Sequence, residues 1–360
     1  MKRYILALAA MAALLGSRAE AQGKFSGLMF GDYFYNVQRD SGLAALSNVA
    51  TNGTKDFQGF QFRRIYFTYD ADLAEQFAMR FRLEADQSAQ FASKTFGAVV
   101  KDAYLKWKGV FGRSDLIFGI QPTPAFDVSE GFWGYRSLEK TIMDLRGIVS
   151  SRDFGVALKG KLDEEGMFGY WLMFGNGDGN KPATSKYKRY YAHVQIKPTK
   201  TLLVTVYADL KSHAPISNPY SATTPRQGVS NNTLTTAGFI GFSGIENLTL
   251  AAEGFYASTS NGYDNGTSLA ARNAIGFTLL GKYALSPELT LIARYDRFDP
   301  NSNSSAKGDS RDYVIAGLSW KAAKNVEFIP NLLYEKYESI PNGRSIDPSV
   351  TARVTTYFTF

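Results

Sequence analysis

Charged residues recur in the middle of segments whose side chains alternate in polarity, and few folds tolerate that. Phe77, Met79, Phe81, Leu83 and Ala85 are apolar, while Arg80, Arg82, Glu84 and Asp86 stand between them. Leu202, Val204, Val206, Ala208 and Leu210 make a second such face, opposite Thr205, Tyr207, Asp209 and Lys211. Ile65, Phe67 and Tyr69 oppose Arg64, Tyr66, Thr68 and Asp70 in the same way. Successive side chains of a strand point to opposite faces, so each segment reads as a strand with one apolar and one wet face. Mid-strand charges are awkward in the core of a sandwich and natural on a face that lines water.

Sixteen such segments are expected, near 23–37, 57–71, 75–87, 98–109, 114–121, 150–162, 166–176, 185–197, 201–212, 233–243, 247–258, 270–284, 288–299, 308–321, 324–338 and 348–360. Parity is ambiguous around 166–175 and 233–243, where both faces are apolar. The connections alternate between tight turns, such as 72–74 and 198–200, and long loops, such as 38–56, 122–149 and 212–232. In an up-and-down barrel this puts all short turns at one end and all long loops at the other, whereas a sandwich has no reason to alternate. The fold expected is all-β: a transmembrane antiparallel up-and-down β-barrel of about 16 strands, wide enough to leave a water channel.

The ends of the chain agree. Met1-Lys2-Arg3, an apolar stretch from Tyr4 to Leu15, and Ala19-Glu20-Ala21 make a secretory signal peptide over residues 1–21, leaving 22–360 as the barrel domain. Without residues 1–21 the formal charge falls from +7 to +5. There is no cysteine, and a large barrel needs no disulfide. The 26 Phe, 21 Tyr and 4 Trp suit aromatic girdles at membrane interfaces. Lys and Arg are dispersed among 33 acidic residues with no basic run, so nucleic acid is discounted as a partner.

The connection 122–149 is the longest and carries unusual apolar surface: Phe126, Phe132, Trp133, Tyr135, Leu138, Ile142, Met143 and Leu145. Leu138, Ile142 and Leu145 recur at helical spacing, so a short helix is expected over 135–146. A loop of this kind packs against something. An inward constriction with Phe132, Trp133 and Tyr135 is favoured over an outside cap or an oligomer contact. Basic residues on the water-facing parity include Arg64, Arg80, Arg82, Lys106 and Lys159, and the loop adds Arg136, Lys140 and Arg146. These eight are the candidate pore-lining and selectivity residues, since rings of Arg and Lys favour anions. The loop also carries Asp127, Glu130, Glu139 and Asp144, so it is not a plain anion filter.

Phe60-Gln61-Phe62-Arg63-Arg64-Ile65-Tyr66-Phe67, Asp102-Ala103-Tyr104-Leu105-Lys106-Trp107, Gly119-Ile120-Gln121-Pro122, Arg136-Ser137-Leu138-Glu139, Arg146-Gly147-Ile148 and Arg152-Asp153-Phe154-Gly155-Val156 together resemble the phosphate-selective porin O and P family. The likeness is clearest over residues 57–160. It implies a sixteen-stranded porin, trimeric, with the third long loop folded into the lumen. The last strand, ending on a bare Phe, resembles the closing strand of bacterial outer-membrane barrels. That likeness implies that Phe358 and Phe360 belong to the signal read by the barrel-insertion machinery.

Enzyme chemistry finds little support. The chain has two histidines, His193 and His213, expected to be solvated, and no nucleophile–base constellation or metal-ligand spacing is evident. Asn176-Gly177-Asp178-Gly179-Asn180 lacks the distal Glu of a calcium loop and reads as an outside turn. No cofactor or metal is expected. The function expected is passive diffusion of small hydrophilic solutes and ions across the bacterial outer membrane, with weak anion preference that extends to phosphate or other oxyanions. Two alternatives stay open: a substrate-specific channel that binds an oxyanion or sugar at the third-loop constriction, and a non-conducting structural or adhesive surface barrel. The expected partners are outer-membrane lipid, the solutes, the insertion machinery and two further copies in a homotrimer.

Overall fold

A computed structural model describes residues 23–41, 54–86, 95–223, 225–339, 343 and 345–360, so the expected signal peptide lies outside the described residues. The strands are β1 (Lys24–Gln38), β2 (Gln58–Ala74), β3 (Phe77–Ala85), β4 (Val99–Phe111), β5 (Ser114–Pro122), β6 (Arg152–Lys161), β7 (Phe168–Gly175), β8 (Arg189–Thr199), β9 (Leu202–Lys211), β10 (Ile216–Ser217), β11 (Gly228–Val229), β12 (Thr233–Ile245), β13 (Leu248–Asp264), β14 (Leu269–Ala284), β15 (Leu289–Asp299), β16 (Arg311–Ala323), β17 (Val326–Tyr337) and β18 (Ser349–Thr359). Sixteen of them form one closed antiparallel barrel, with β18 paired to β1, while β10 and β11 make a separate ribbon that β9 and β12 pair across. Closure satisfies the backbone N–H and C=O groups within the sheet, as hydrocarbon surroundings require.

Side-chain alternation sets which face is wet. On β9, Val206 and Leu210 are exposed on the outside, while Thr205, Tyr207 and Asp209 are buried on the inside. Outward aromatics gather in two bands. Phe25, Trp107, Phe242, Tyr283 and Trp320 lie toward the short turns, and Phe60, Phe154, Phe174 and Tyr190 toward the long loops. These are the girdles of a membrane barrel.

Two of the bulges that break the alternation bear on the inner wall. Gly31 pairs with Phe62 and Phe30 with Arg64, so Arg63 is the extra residue of β2. Arg82 pairs with Asp102 and Leu83 with Val100, so Lys101 is the extra residue of β4. Strict period two sends Arg63 and Lys101 to the lipid side; the inserted residue lets both point inward with Arg64 and Asp102.

Three expectations are corrected. The helix expected over 135–146 is confined to α2 (Ile142–Leu145), and α1 (Asp127–Trp133) precedes it. Leu138 instead sits on a turn, pressed to the wall by bonds to its carbonyl. The connection expected between the segments 247–258 and 270–284 shortens, because β13 runs on to Asp264 past an irregularity at residues 260–262, where Asn261 takes a positive φ of 54°. His193, expected to be solvated, is buried on the inner wall at 4% exposure.

Candidate functional site

The third long loop, L3 (residues 123–151), leaves β5 and returns to β6, and in between it reaches the far wall of the barrel. Phe132 stacks edge-on against Phe239 of β12 at 5.4 Å between ring centroids, and Ser129 donates to the Glu253 carboxylate of β13 at 3.1 Å. Lys282 of β14 donates to the carbonyl oxygens of Phe132 (2.7 Å) and Trp133 (3.1 Å). Arg294 of β15 donates to the Lys140 carbonyl (2.5 Å), and Tyr313 of β16 to the Glu139 carboxylate (3.3 Å). Arg146 pairs with Glu335 of β17 at 2.8 Å. Arg353 of β18 and Arg63 of β2 both donate to the Leu138 carbonyl at 2.9 Å, and Arg63 also reaches the Ser137 carbonyl. The loop thus lies inside the lumen, fastened to strands on the wall opposite its own root.

Packing supports those bonds. Phe126, Trp133, Leu138, Ile142, Met143 and Val149 of L3 are all at most 4% exposed. Ile142 and Met143 share a cluster with Trp171 and Met173 of β7 and with Phe255 and Phe298. Trp133 and Leu138 share another with Phe239, Leu280, Ile292, Ile315 and Ile329. The stretches with two apolar faces, 166–175 and 233–243, therefore contain strands whose outer face is exposed and whose inner face meets L3. Of the three aromatic candidates, Trp133 is fully buried with the Arg294 guanidinium 5.5 Å from its ring, Phe132 packs on the wall, and Tyr135 lies against Trp133. They anchor the loop.

The polar side of L3 turns toward β2–β4 and β6. On that wall Arg80 forks onto Asp70 (2.7 and 2.9 Å), Arg82 meets Asp102 (3.2 Å), and Arg152 binds Asp102 as well. Arg64 (3.1 Å) and Lys101 (2.6 Å) share Glu84. Five cations thus meet three carboxylates in these pairs, and Asp86 adds a fourth carboxylate that acts on Arg64. Across from them, Arg136 bridges Glu130 (2.9 Å) and Asp144 (3.3 Å) on L3. Burial pushes the Glu130 carboxyl above the ordinary range, with Arg136 pulling against it. Burial acts on Glu139 the same way, yet Arg353 and Arg63 outweigh it and hold that carboxyl below the ordinary value.

Most candidate selectivity residues prove to be partnered. Arg64, Arg80, Arg82, Arg136 and Arg146 sit in the pairs just described. Lys106 and Lys159 lie 3.9 Å from Asp115 and Asp127. Lys140 has no ion pair among the described residues. The structure brings Arg64, Arg82 and Arg136 together around Tyr66, Arg80, Lys106 and Lys159 to the short-turn mouth, and Arg146 to the long-loop mouth. Sequence reasoning missed Arg63, Lys101, Arg152 and Lys282. For the first two the signal was visible: adjacent charges inside a strand, Arg63-Arg64 and Lys101-Asp102, break period two and mark a bulge.

Two cavities continue the lumen. At the short turns, one of ≈ 730 Å³ is lined by Lys106, Lys159, Lys161 and Lys197 among others, with Asp115, Asp127, Glu164 and Glu165 as its carboxylates. At the long loops, one of ≈ 820 Å³ carries Arg146, Lys181, Arg189, Lys211 and Arg272, with Asp178 as its only carboxylate among the described residues. Among the described residues no group of three His, Cys, Asp or Glu side chains is placed to hold a metal ion.

No family model matches the chain, and no curated protein matches it by sequence. Solved structures do match in fold. An anion-selective porin from Comamonas acidovorans superposes with a TM-score of 0.67 at 11% identity, covering 95% of this chain and 100% of that one. The outer membrane channel DcaP of Acinetobacter baumannii gives 0.66 at 13% identity over 96% of this chain and 99% of that one. OmpT of Vibrio cholerae in its trimer form gives 0.59 at 12% identity over 94% and 99%. At these identities the likeness establishes the fold: a closed barrel of the general porin type.

Proposed function

We propose that the chain is an outer-membrane porin, a passive diffusion channel for small hydrophilic solutes and ions with a weak preference for anions. The observation that carries this reading is L3 fastened across the lumen, with its charged side toward a wall where cations outnumber carboxylates. Fixed charges at a narrowing select by sign, and a basic excess favours anions. Selection by width and lining charge requires no chemical turnover, so no enzymatic step belongs to this reading. The likeness of residues 57–160 to phosphate-selective porins makes phosphate the first oxyanion to test for block, and the fold match to an anion-selective porin supports the same sign. Export on the segment 1–21, insertion guided by Phe358 and Phe360, and assembly as a homotrimer complete the proposal. The trimer form of the Vibrio cholerae protein supports the last of these.

Single-channel recording of the refolded protein in a planar bilayer, with the reversal potential taken under a KCl gradient, tests the reading. Stable open steps that reverse toward the chloride potential are expected. Reversal toward potassium overturns the anion preference. Absence of steps from folded protein overturns the channel and leaves a surface barrel.

A further inference from the structure

One rung of the sheet crosses the long-loop mouth. The register sets Arg189 of β8 beside Lys211 of β9, Lys211 beside Thr233 of β12, Thr233 beside Thr259 of β13, and Thr259 beside Arg272 of β14. All five line the ≈ 820 Å³ cavity. Arg189 is committed to Asp209, which it binds at 2.6 and 2.8 Å. Lys211 and Arg272 form no ion pair among the described residues. The Lys211 ammonium donates to the Gly177 carbonyl (2.7 Å) and Arg272 Nε to the Pro300 carbonyl (3.2 Å), which leaves both heads with donors to spare. Between them the Thr233 and Thr259 hydroxyls share one hydrogen bond of 2.8 Å, and His213 Nε2 lies 3.5 Å from the Thr233 hydroxyl. Burial, then Lys211 and Arg189, lower the His213 pKa below its usual value, in keeping with a positive field at this wall.

The order along the rung is cation, hydroxyl, hydroxyl, cation. Neighbouring strands stand about 4.8 Å apart, so the Lys211 and Arg272 backbones are separated by roughly 14 Å. A compact monovalent anion engages one end. A solute with an anionic group at each end of a hydroxylated chain engages both ends and the hydroxyls between. We propose that this rung is a binding site for such bis-anionic polyhydroxy solutes, of which a sugar bisphosphate is the simplest chemical example. The proposal deepens the channel reading by naming a solute class, and its binding is measurable without conduction.

The test is titration calorimetry on the refolded full chain in detergent, with fructose bisphosphate, fructose monophosphate and fructose in turn. Bisphosphate is expected to bind about tenfold more tightly than monophosphate, the worth of one more charge-assisted contact, and fructose to give no measurable heat. Lys211→Gln and Arg272→Gln should each bring bisphosphate down to the monophosphate level. Lys324→Gln, the same charge change in a turn at the opposite mouth, should leave it unchanged. Equal affinity for the two phosphates, or equal loss in all three variants, overturns the site. Because the two lysine and arginine variants lie on different strands, misfolding of one leaves the other to decide. KCl conductance of the same preparation separates the outcomes: steps without selective binding sink the rung alone, and binding without steps sinks the channel alone.

Discussion

Replacing Trp133 with Ala tests whether L3 is held against the wall by packing. Trp133 is fully buried, donates from Nε1 to the Glu139 carbonyl at 3.0 Å and carries Arg294 over its ring. Truncating a buried aromatic costs about 3–5 kcal/mol, and the lost hydrogen bond about 1 kcal/mol more. The whole loss falls on loop docking, because Trp133 lies in α1 and outside every barrel strand. At about 4–6 kcal/mol, the docked arrangement gives up roughly three to four powers of ten of its advantage over an undocked one. Two readouts follow. Trypsin has sites at Arg136 and Lys140, held beside bonded residues in the docked loop. Wild-type protein in detergent should resist cleavage there, and Trp133→Ala should be cut while its barrel keeps its folded gel mobility. In a bilayer the variant should show larger and noisier steps. If it resists trypsin and conducts as wild type does, the arginine and lysine bonds hold L3 by themselves and the packing argument fails.

Arg136→Gln leaves Glu130 and Asp144 without their shared cation, so the reversal potential under a KCl gradient should move toward potassium; an unchanged potential would place Arg136 outside the conducting path. Burial raises the Glu130 pKa, so this carboxylate takes up its proton at a higher pH than an ordinary one and L3 loses a negative charge. Anion preference should therefore rise as pH falls through that raised value. Loop docking should strengthen over the same window, since the folded state favours the protonated form. Glu130→Gln should reduce the pH dependence of the reversal potential over that window. Phe360→Ala removes a side chain that is 64% exposed, while its backbone bonds to Gly27 remain. Refolded stability should stay within about 0.5 kcal/mol of wild type. The amount of folded barrel recovered from cell outer membranes should nevertheless drop, and equal recovery would remove Phe360 from the insertion signal.

The barrel was legible because each strand writes both of its environments in alternate residues. Val206 and Leu210 lie exposed on the outer face and Asp209 on the inner one, bonded to Arg189, and no other arrangement of β9 satisfies all three. What escaped was local. The ribbon of β10 and β11 pairs two residues with two, too short for any period to show. The outward extension of β13 passes through Asn261 and Gly262, where a left-handed residue interrupts the alternation that marks a strand. L3 was expected to turn inward on its apolar content. Its helix was misplaced because Leu138, Ile142 and Leu145 share a spacing without sharing an element. Leu138 owes its position to Arg63 and Arg353, which come from strands far from it in sequence.

Parity finds charges in a lumen but cannot say which of them remain uncompensated. Arg64, Arg80 and Arg82 form a basic patch when β2 and β3 are read alone, yet each meets a carboxylate once the strands are in register. Register also adds cations that parity misses, Arg63 and Lys101 through bulges and Arg152 at a strand end. A paired charge presents mostly a dipole to a passing ion, whereas an unpaired one presents its full field. By that criterion, on the proposed channel reading, the weight of selection shifts from the patch first visible in the sequence toward the cations gathered around Glu84 and Asp102, and toward Lys211 and Arg272 at the long-loop mouth. Which charges stay uncompensated is set by pairing across strands, and pairing becomes readable only when the barrel is closed.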